Sequence, residues 1–437
     1  MIGPSYDEHT GLAIVGGGPA AFGLLGQAVR QERLADLIAS GVTLIERSSR
    51  PGAGSLSGYR ITSNSFAEAF LEETAADLID PAVEASSRGL EEYLGRPFPL
   101  PVAKPFLEAK ATAILKRMRD CSRSVEVLLN AEAHTIRAAE GGGWSIIGKQ
   151  SGASGTKPFR VKAKVVLLAN GGDPQHWQEV GLFDDRRAEA LPTILPITEV
   201  ICADPPSLVA MFGTSRPPRP LIIGGSHSAI SAAAKLHSGL GPTARITVAH
   251  RNSLRFYFLS KDHARAAGVE PLQQIVCRLS GRVNRFGGLR YDSAAFARRY
   301  GSGSHDDNRI EFHRLAELRS GRMEELDELL DRATHVVPAL GFRRRPLPLF
   351  DQGGEEIRLQ CAADGGLAVT SQGRLSDDRG TLLPDLFAVG LGAGLTSGSR
   401  LGGESDRPIR TDGVWMYNYD GGRAILDPLI EAIASRS

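Results

Sequence analysis

Short unbroken apolar runs, separated by longer stretches of mixed polarity, set the rhythm of this 437-residue chain. Residues 12–16, 42–46 and 165–169 are nearly continuous apolar runs, as expected of strands buried on both faces. Residues 19–37 repeat their apolar positions at helical spacing, with Gly23 and Gly26 as mild interruptions. Helical spacing recurs over 66–79 and 105–120. The segments 125–129, 134–138 and 144–147 read as short antiparallel strands, with turns at 141–143 and 151–155. A second cycle starts at 221 with a strand, a helix over 228–240 and a strand over 244–249. Further strands are predicted at 310–312, 334–338 and 382–389, and a terminal helix over 412–435. The proline-dense segment 175–220 reads as a linker. Strands alternating with helices predict an α/β chain with parallel sheets.

Two of the strand-to-helix junctions are turns of one kind, 208 residues apart. The first is Gly16-Gly17-Gly18-Pro19-Ala20-Ala21 and the second Gly224-Gly225-Ser226-His227-Ser228-Ala229. Such a turn sets backbone N–H groups and the positive end of a helix against a pyrophosphate. Glu46 closes the second strand of the first cycle, 28 positions after Gly18, where a carboxylate accepts from both ribose hydroxyls. Arg47 follows it. The second cycle ends its second strand in His250-Arg251. An arginine there suits a 2′-phosphate through charge-assisted hydrogen bonds. Ser253 and Arg255 add donors, and His250 offers a ring to adenine. Two dinucleotide sites on one chain imply electron transfer between them.

Composition narrows the class without changing this picture. Apolar residues make up 42% and charged residues 23%, the balance of a globular enzyme. The 51 basic and 50 acidic residues leave a net charge of +1, which gives no field to gather nucleic acid or an anionic membrane. No apolar run approaches the roughly 18 residues that span a bilayer. The N-terminus lacks a basic start followed by an apolar core, so a cytoplasmic location is expected. Cys121, Cys202, Cys277 and Cys361 include no Cys-x-x-Cys pair, which offers neither a zinc site nor a redox disulfide.

Four features together resemble the two-dinucleotide-binding-domain flavoproteins: Gly16-x-Gly18-x-x-Ala21 with Glu46, the strand end Leu167–Gly172, the turn Gly224-x-Ser226-x-x-Ala229, and Asp385–Gly390. The resemblance implies two Rossmann-like domains, with an NAD(P)H-binding domain (216–345) inserted into a discontinuous FAD-binding domain (1–215 and 346–437). Within that superfamily the chain is most similar to single-component flavin monooxygenases, the N-hydroxylating group among them. The absent Cys-x-x-Cys sets it apart from the disulfide reductases. The Phe-x-Gly-x-x-x-His signature of Baeyer–Villiger enzymes is missing before the second turn, and Gly390 is followed by Leu391-Gly392 rather than by an acid.

From the resemblance, FAD belongs to the first turn and NADPH to the second. Gly171, Gly390 and Gly392 end the strands on the flavin side, and the loop bearing Tyr59, Thr62, Ser63 and Asn64 lies against the flavin ring. His227 and Ser228 start the second helix, with His227 a helix-start residue rather than a base. Asp412 and Gly413 open the terminal helix, whose positive end faces the flavin, and Trp415, Tyr417 and Tyr419 follow. Arg343, Arg344 and Arg345 read as a solvated face. The implied reaction passes hydride from NADPH to flavin and then one oxygen of O2, through a C4a-(hydro)peroxyflavin, to a small molecule such as an amine. An NAD(P)H-linked reductase without oxygen insertion and a non-catalytic flavin scaffold are the alternatives, and homo-oligomerisation is left open.

Overall fold

The computed structural model describes residues 7–72, 74, 76–178, 192–213, 216–301, 306–315, 324–345, 347–362, 366–393, 395, 404–405 and 413–435. Its first sheet is laid down by β1 (Asp7–Val15), β2 (Val42–Ile45), β3 (Val125–Leu128), β4 (Ala131–Ala138), β5 (Trp144–Gly152) and β6 (Gly155–Leu168). A short strand β7 (Gly172–Pro174) then leads out to a second sheet of β8 (Thr193–Ile194), β9 (Pro220–Ile223), β10 (Ile246–His250), β11 (Ile310–Arg314) and β12 (His335–Pro338). The chain returns through β13 (Phe342–Arg344) and completes the first sheet with β14 (Leu349–Phe350), β15 (Arg374–Ser376) and β16 (Leu382–Ala388). The fold is α/β, with two Rossmann-like units and the second inserted into the first.

Parallel pairing centres each unit on its glycine turn. In the first, β1 lies between β2 and β6, with Leu12 opposite Val42 and Val165. The long β6 changes partner along its length. Its early part pairs antiparallel with β5, and its end pairs parallel with β16. Helices α1 (Pro19–Arg30), α2 (Leu34–Ile38), α3 (Glu68–Leu71), α4 (Pro81–Glu91) and α5 (Ala103–Cys121) follow in chain order. Leu24, Leu25, Ile114 and Phe106 of α1 and α5 join Leu12 and Ile14 in one buried face, and Trp144, Phe159 and Leu386 fill the other. In the second unit the order is β11-β10-β9-β12-β8. Helices α6 (Ile197–Cys202), α7 (Pro205–Phe212), α8 (His227–Gly239) and, after α9 (Lys261–Ala266), α10 (Tyr291–Gly301) cover one side. Helix α11 (Glu324–Arg332) covers the other.

Four expectations are corrected. The segment read as a linker carries β8, α6 and α7, whose prolines sit at helix starts. Asp204 caps α7 by accepting from Ser207 N–H at 2.9 Å, and Pro205 takes the first helical position, where no N–H is needed. Strand β3 pairs parallel with β2, because α5 carries the chain back to the same end of the sheet. The helix expected over 19–37 breaks after α1, where Glu32 adopts φ 57° and Arg33 N–H returns to the Ala28 carbonyl at 2.8 Å. The helix expected over 66–79 stops at α3, since Glu72 turns to an extended ψ of 151°.

The strands β7 and β13, which carry the chain between the units, pair antiparallel. Arg345 clamps this two-stranded ribbon through Asp173 Oδ1, 3.0 Å from Nε. Burial pushes the Asp173 carboxyl up, and the guanidinium more than offsets it, holding it below the usual carboxylate range. The arginines read as a solvated face therefore join the units.

Lys110 of α5 is 4% exposed inside the first core. Burial, with the charge of Arg30 behind it, lowers its ammonium to about 8. Between about 8 and the ordinary 10.5 the unfolded chain binds the extra proton, so stability rises with pH in that window. Below it the full penalty of burying the charge applies. Lys110→Met is expected to raise the thermal midpoint at pH 7 by about 2–4 °C. Calorimetry should show the gain shrinking as pH rises past 8.

Candidate active site

Gly16 sits at φ 102°, and a Cβ there would lie 2.4 Å from the Ala169 carbonyl oxygen. No other residue fits the turn. Gly18 precedes α1 with no side-chain cap, so the first-turn N–H groups of Ala20 and Ala21 meet no capping oxygen, and Pro19 has none to satisfy. Glu46 is buried at the end of β2 and accepts from Gly17 N–H at 2.6 Å and Ser48 N–H at 2.7 Å. Arg47 is exposed and lines a cleft of about 420 Å³ with Asn130, His134 and Lys149. The glycines that end the neighbouring strands crowd the same place. A Cβ on Gly390 would lie 3.1 Å from that of Ala20, and one on Gly392 would lie 2.8 Å from the Gly171 carbonyl oxygen.

The second turn repeats this geometry. Gly224 has φ 144°, and a Cβ would lie 2.4 Å from the Ala339 carbonyl oxygen. Ser226 occupies the cap position of α8 but gives no side-chain cap hydrogen bond, although serine is among the best capping residues. Ser228 is half-buried in the first turn of the helix, and Arg251 is exposed just beyond β10. His250 departs from expectation. Its ring is 8% exposed beneath Gly225, with Nδ1 held to the Asn252 carbonyl at 2.9 Å, so no face is open to adenine.

The loop expected against the flavin ring bridges the two units. Leu100 N–H donates to the Ile61 carbonyl and Ser63 N–H to the Phe98 carbonyl, both at 2.9 Å, which ties the odd residues to the first unit. The even carbonyls turn to the second. Lys235 Nζ reaches Arg60 O at 3.3 Å, His227 Nε2 reaches Thr62 O at 3.3 Å, and Arg290 reaches Asn64 O at 3.2 Å. The Thr62 hydroxyl is taken by Asp292 of α10, and the buried Ser63 hydroxyl accepts from Ser65 N–H at 3.0 Å. Tyr59 packs against both cores, and its burial raises the phenol.

Beside this strap, a cavity of about 730 Å³ opens between the units. The first unit lines it with Asn64, Glu68, Glu72, Gly413, Met416 and Tyr419, and the second with Arg282, Arg285 and Arg290. Tyr417 is instead packed in the core, and Gly413 opens a short helical turn, α12 (Val414–Met416), ahead of a π-turn and α13 (Gly422–Ser435). Asp412 lies outside the described residues, as does the side chain of Trp415. The sequence reading missed the arginine wall. Its signal was four arginines within residues 278–290, a density unusual in a glycine-rich segment.

No family model matches the chain. The CMP-5'-(3-aminopropyl)phosphonate hydroxylase of Streptomyces rubellomurinus is 30% identical over 444 residues, covering 97% of this chain and 98% of that one. The chain belongs to the flavin monooxygenases of the two-dinucleotide-binding-domain type. The reduced ornithine hydroxylase of Pseudomonas aeruginosa aligns over 97% of this chain and 99% of its own, at 15% identity and TM-score 0.56. The L-lysine 6-monooxygenase of Pseudomonas syringae covers 97% and 100%, at 15% identity and TM-score 0.53. At such identities these two show a shared fold. The chain thus shares its fold with flavin monooxygenases and its full length with a hydroxylase, and none of its described helices is long and apolar enough to cross a membrane.

His227 gives the strap a dependence on pH. Burial is the larger influence and lowers its imidazolium to about 4, while the Thr62 carbonyl partly opposes it. Nδ1 has no partner among the described residues, so a second proton there would have no acceptor. The unfolded chain takes up that proton near 6.5 and the folded one near 4, so stability is lost as pH falls through that window. Urea midpoints are expected to decline between pH 6.5 and 4. His227→Gln should remove most of the slope.

Proposed function

We propose that the chain is an FAD-dependent, NADPH-using monooxygenase that hydroxylates an amine nitrogen of a small molecule also bearing phosphoryl charge. What supports this reading best is full-length likeness to a hydroxylase whose named substrate has both groups. Two helix starts without side-chain caps, one in each unit, agree with it.

The residues of the first turn fit FAD. Gly16, Gly18, Pro19, Ala20 and Ala21 leave room and N–H groups for its pyrophosphate. Glu46 keeps carboxylate lone pairs for ribose hydroxyls beyond the two it gives the backbone, and Arg47 borders the adenosine end. Gly171, Gly390 and Gly392 let the backbone come close on the flavin side. Tyr59, Thr62, Ser63 and Asn64 would form the edge of the flavin pocket, mostly through backbone atoms, and Gly413 borders the adjoining cavity. Bound FAD supplies the redox and oxygen chemistry, accepting hydride and delivering one atom of O2. The side chains position substrate and exclude water.

The second turn fits NADPH, with Gly224, Ser226, His227 and Ser228 at the pyrophosphate and Arg251 at the 2′-phosphate. On this reading the inserted domain ends near 345 and gathers in the strand at Thr193, ahead of the boundary expected at 216. The purified protein should be yellow, bleach anaerobically with NADPH, and in air convert a phosphoryl-bearing amine to its hydroxylamine, detected by mass spectrometry. Bleaching followed by hydrogen peroxide release, with no hydroxylamine from any such amine, sinks the oxygen-transfer reading and leaves a reductase. Arg251→Ala is expected to raise the NADPH KM about tenfold, losing one charge-assisted phosphate contact, while the NADH KM changes less than twofold. Equal effects on both would remove the 2′-phosphate assignment.

A further inference from the structure

The cavity between the units is divided by charge. Glu68 and Glu72 stand on the wall of the first unit, and Arg282, Arg285 and Arg290 on the wall of the second. Neither Arg282, Arg290 nor Glu68 makes an ion pair among the described residues. Glu68 Oε1 accepts from Gly95 N–H at 2.7 Å, while the buried Oε2 has no hydrogen-bond partner among those residues. Arg290 gives its terminal nitrogens to the carbonyls of Asn64 and Arg285, and its buried Nε has no acceptor. A guanidinium cannot shed its charge, so one held between carbonyls without a carboxylate is incompletely compensated.

The arginine forks are also held in place. The Arg285 guanidinium carbon stands 4.9 Å over the Phe286 ring, and that of Arg290 stands 4.4 Å over the Tyr257 ring. Stacking of this kind fixes a guanidinium plane without using its N–H donors, and one terminal nitrogen of Arg285 is further steadied by Cys277 Sγ at 3.6 Å. Planar forks held so are suited to the oxygens of a phosphonate or phosphate.

We infer that the cavity binds its substrate in one orientation, with the phosphoryl anion on Arg282 and Arg285, which Arg290 braces, and the ammonium on Glu68. This rests on the reading of the first unit as the FAD unit, because it places the reacting nitrogen on the flavin side. Glu72 adds negative potential to the same wall. Arg290 is a positioning residue, since its donors are committed to the strap and to Arg285. At about 730 Å³ the cavity is large enough for a nucleotide-sized conjugate.

The test is equilibrium binding to the oxidised, flavin-loaded protein by titration calorimetry. The probes are (3-aminopropyl)phosphonate, propylphosphonate and 1-aminobutane. The Arg282→Gln/Arg285→Gln double variant should weaken both phosphonates at least tenfold and leave 1-aminobutane within twofold. Glu68→Gln keeps the bond to Gly95 and should weaken both amines at least fivefold, with propylphosphonate within twofold. Arg282→Lys alone should give an intermediate loss and serves if the double variant fails to fold. Uniform losses across the three probes, no losses, or no binding of either phosphonate to the wild type would each overturn the assignment. Binding is read without turnover, so a missing hydroxylamine product refutes the proposed reaction and leaves the charge division standing.

Discussion

The relation between the two units depends on a few residues of extended backbone whose polar groups must all find partners. Residues 60–64 run between the units with Ser63 buried and Ile61 and Thr62 half-buried, and a buried carbonyl left unpaired costs about 1–3 kcal/mol. Because side chains and carbonyls alternate along an extended chain, one edge of the segment faces each unit. The odd residues bond to the backbone near Phe98 and Leu100, and the even carbonyls are met by Lys235, His227 and Arg290. A shift by one residue would turn every carbonyl to the wrong unit. The register of one short segment therefore sets where the second glycine turn stands relative to the first. The ribbon of β7 and β13 fixes the other end of the same relation.

Within that frame the two turns are alike in backbone and unlike in surroundings. Both require glycine where a Cβ would strike a carbonyl of the adjoining strand end, Ala169 in one and Ala339 in the other. The first is enclosed: Glu46 is buried beside it, and Gly390 presses on the start of its helix. The second is open, with Ser226 and Arg251 exposed. An enclosed site suits a group that stays bound, and an open one suits a group that must enter and leave each cycle. The asymmetry comes from the C-terminal segment, which returns to the first sheet after the insertion and, among the described residues, meets the first turn at Gly390.

Much of this was legible in the sequence because it is local. The turns, the strands leading into them and Glu46 are written within about thirty residues each, where periodicity and glycine spacing act. What was not legible depends on distant partners. The proline-rich stretch reads as a linker until Thr193 is seen to pair with His335, and Pro196, Pro205 and Pro206 prove to stand at helix starts. Strand β3 alternates as an antiparallel edge would, and only the crossover by α5 sets its direction. His250 is polar and sits at a strand end, yet Gly225 closes over its ring. Arg282 and Glu68 lie more than two hundred residues apart, and no pattern in either segment announces the other.

That separation has a structural source. In a minimal Rossmann unit the second and third strands are joined by a crossover of about a dozen residues or slightly more. Here β10 ends at His250 and β11 begins at Ile310. The intervening chain builds a small body of its own, with Phe258, Ala264, Val276 and Val283 as its core and single bridges such as Phe258 to Val283 holding its turns. The arginine wall grows from this body, and α10, which supplies Asp292 to the strap, closes it. The elaboration also meets the second unit's turn and helix: a Cβ on Gly225 would lie 3.1 Å from the Leu254 side chain, and the Ser293 and Ser231 hydroxyls are 3.1 Å apart. Changes at its arginines alter the charge of the cavity, whereas changes at Leu254 or Ser293 would also reach the second turn and its helix. The same body that can vary the cavity also carries Arg290, which braces the strap. Arg290 is thus tied both to the cavity and to the strap, through its donation to the Asn64 carbonyl at 3.2 Å.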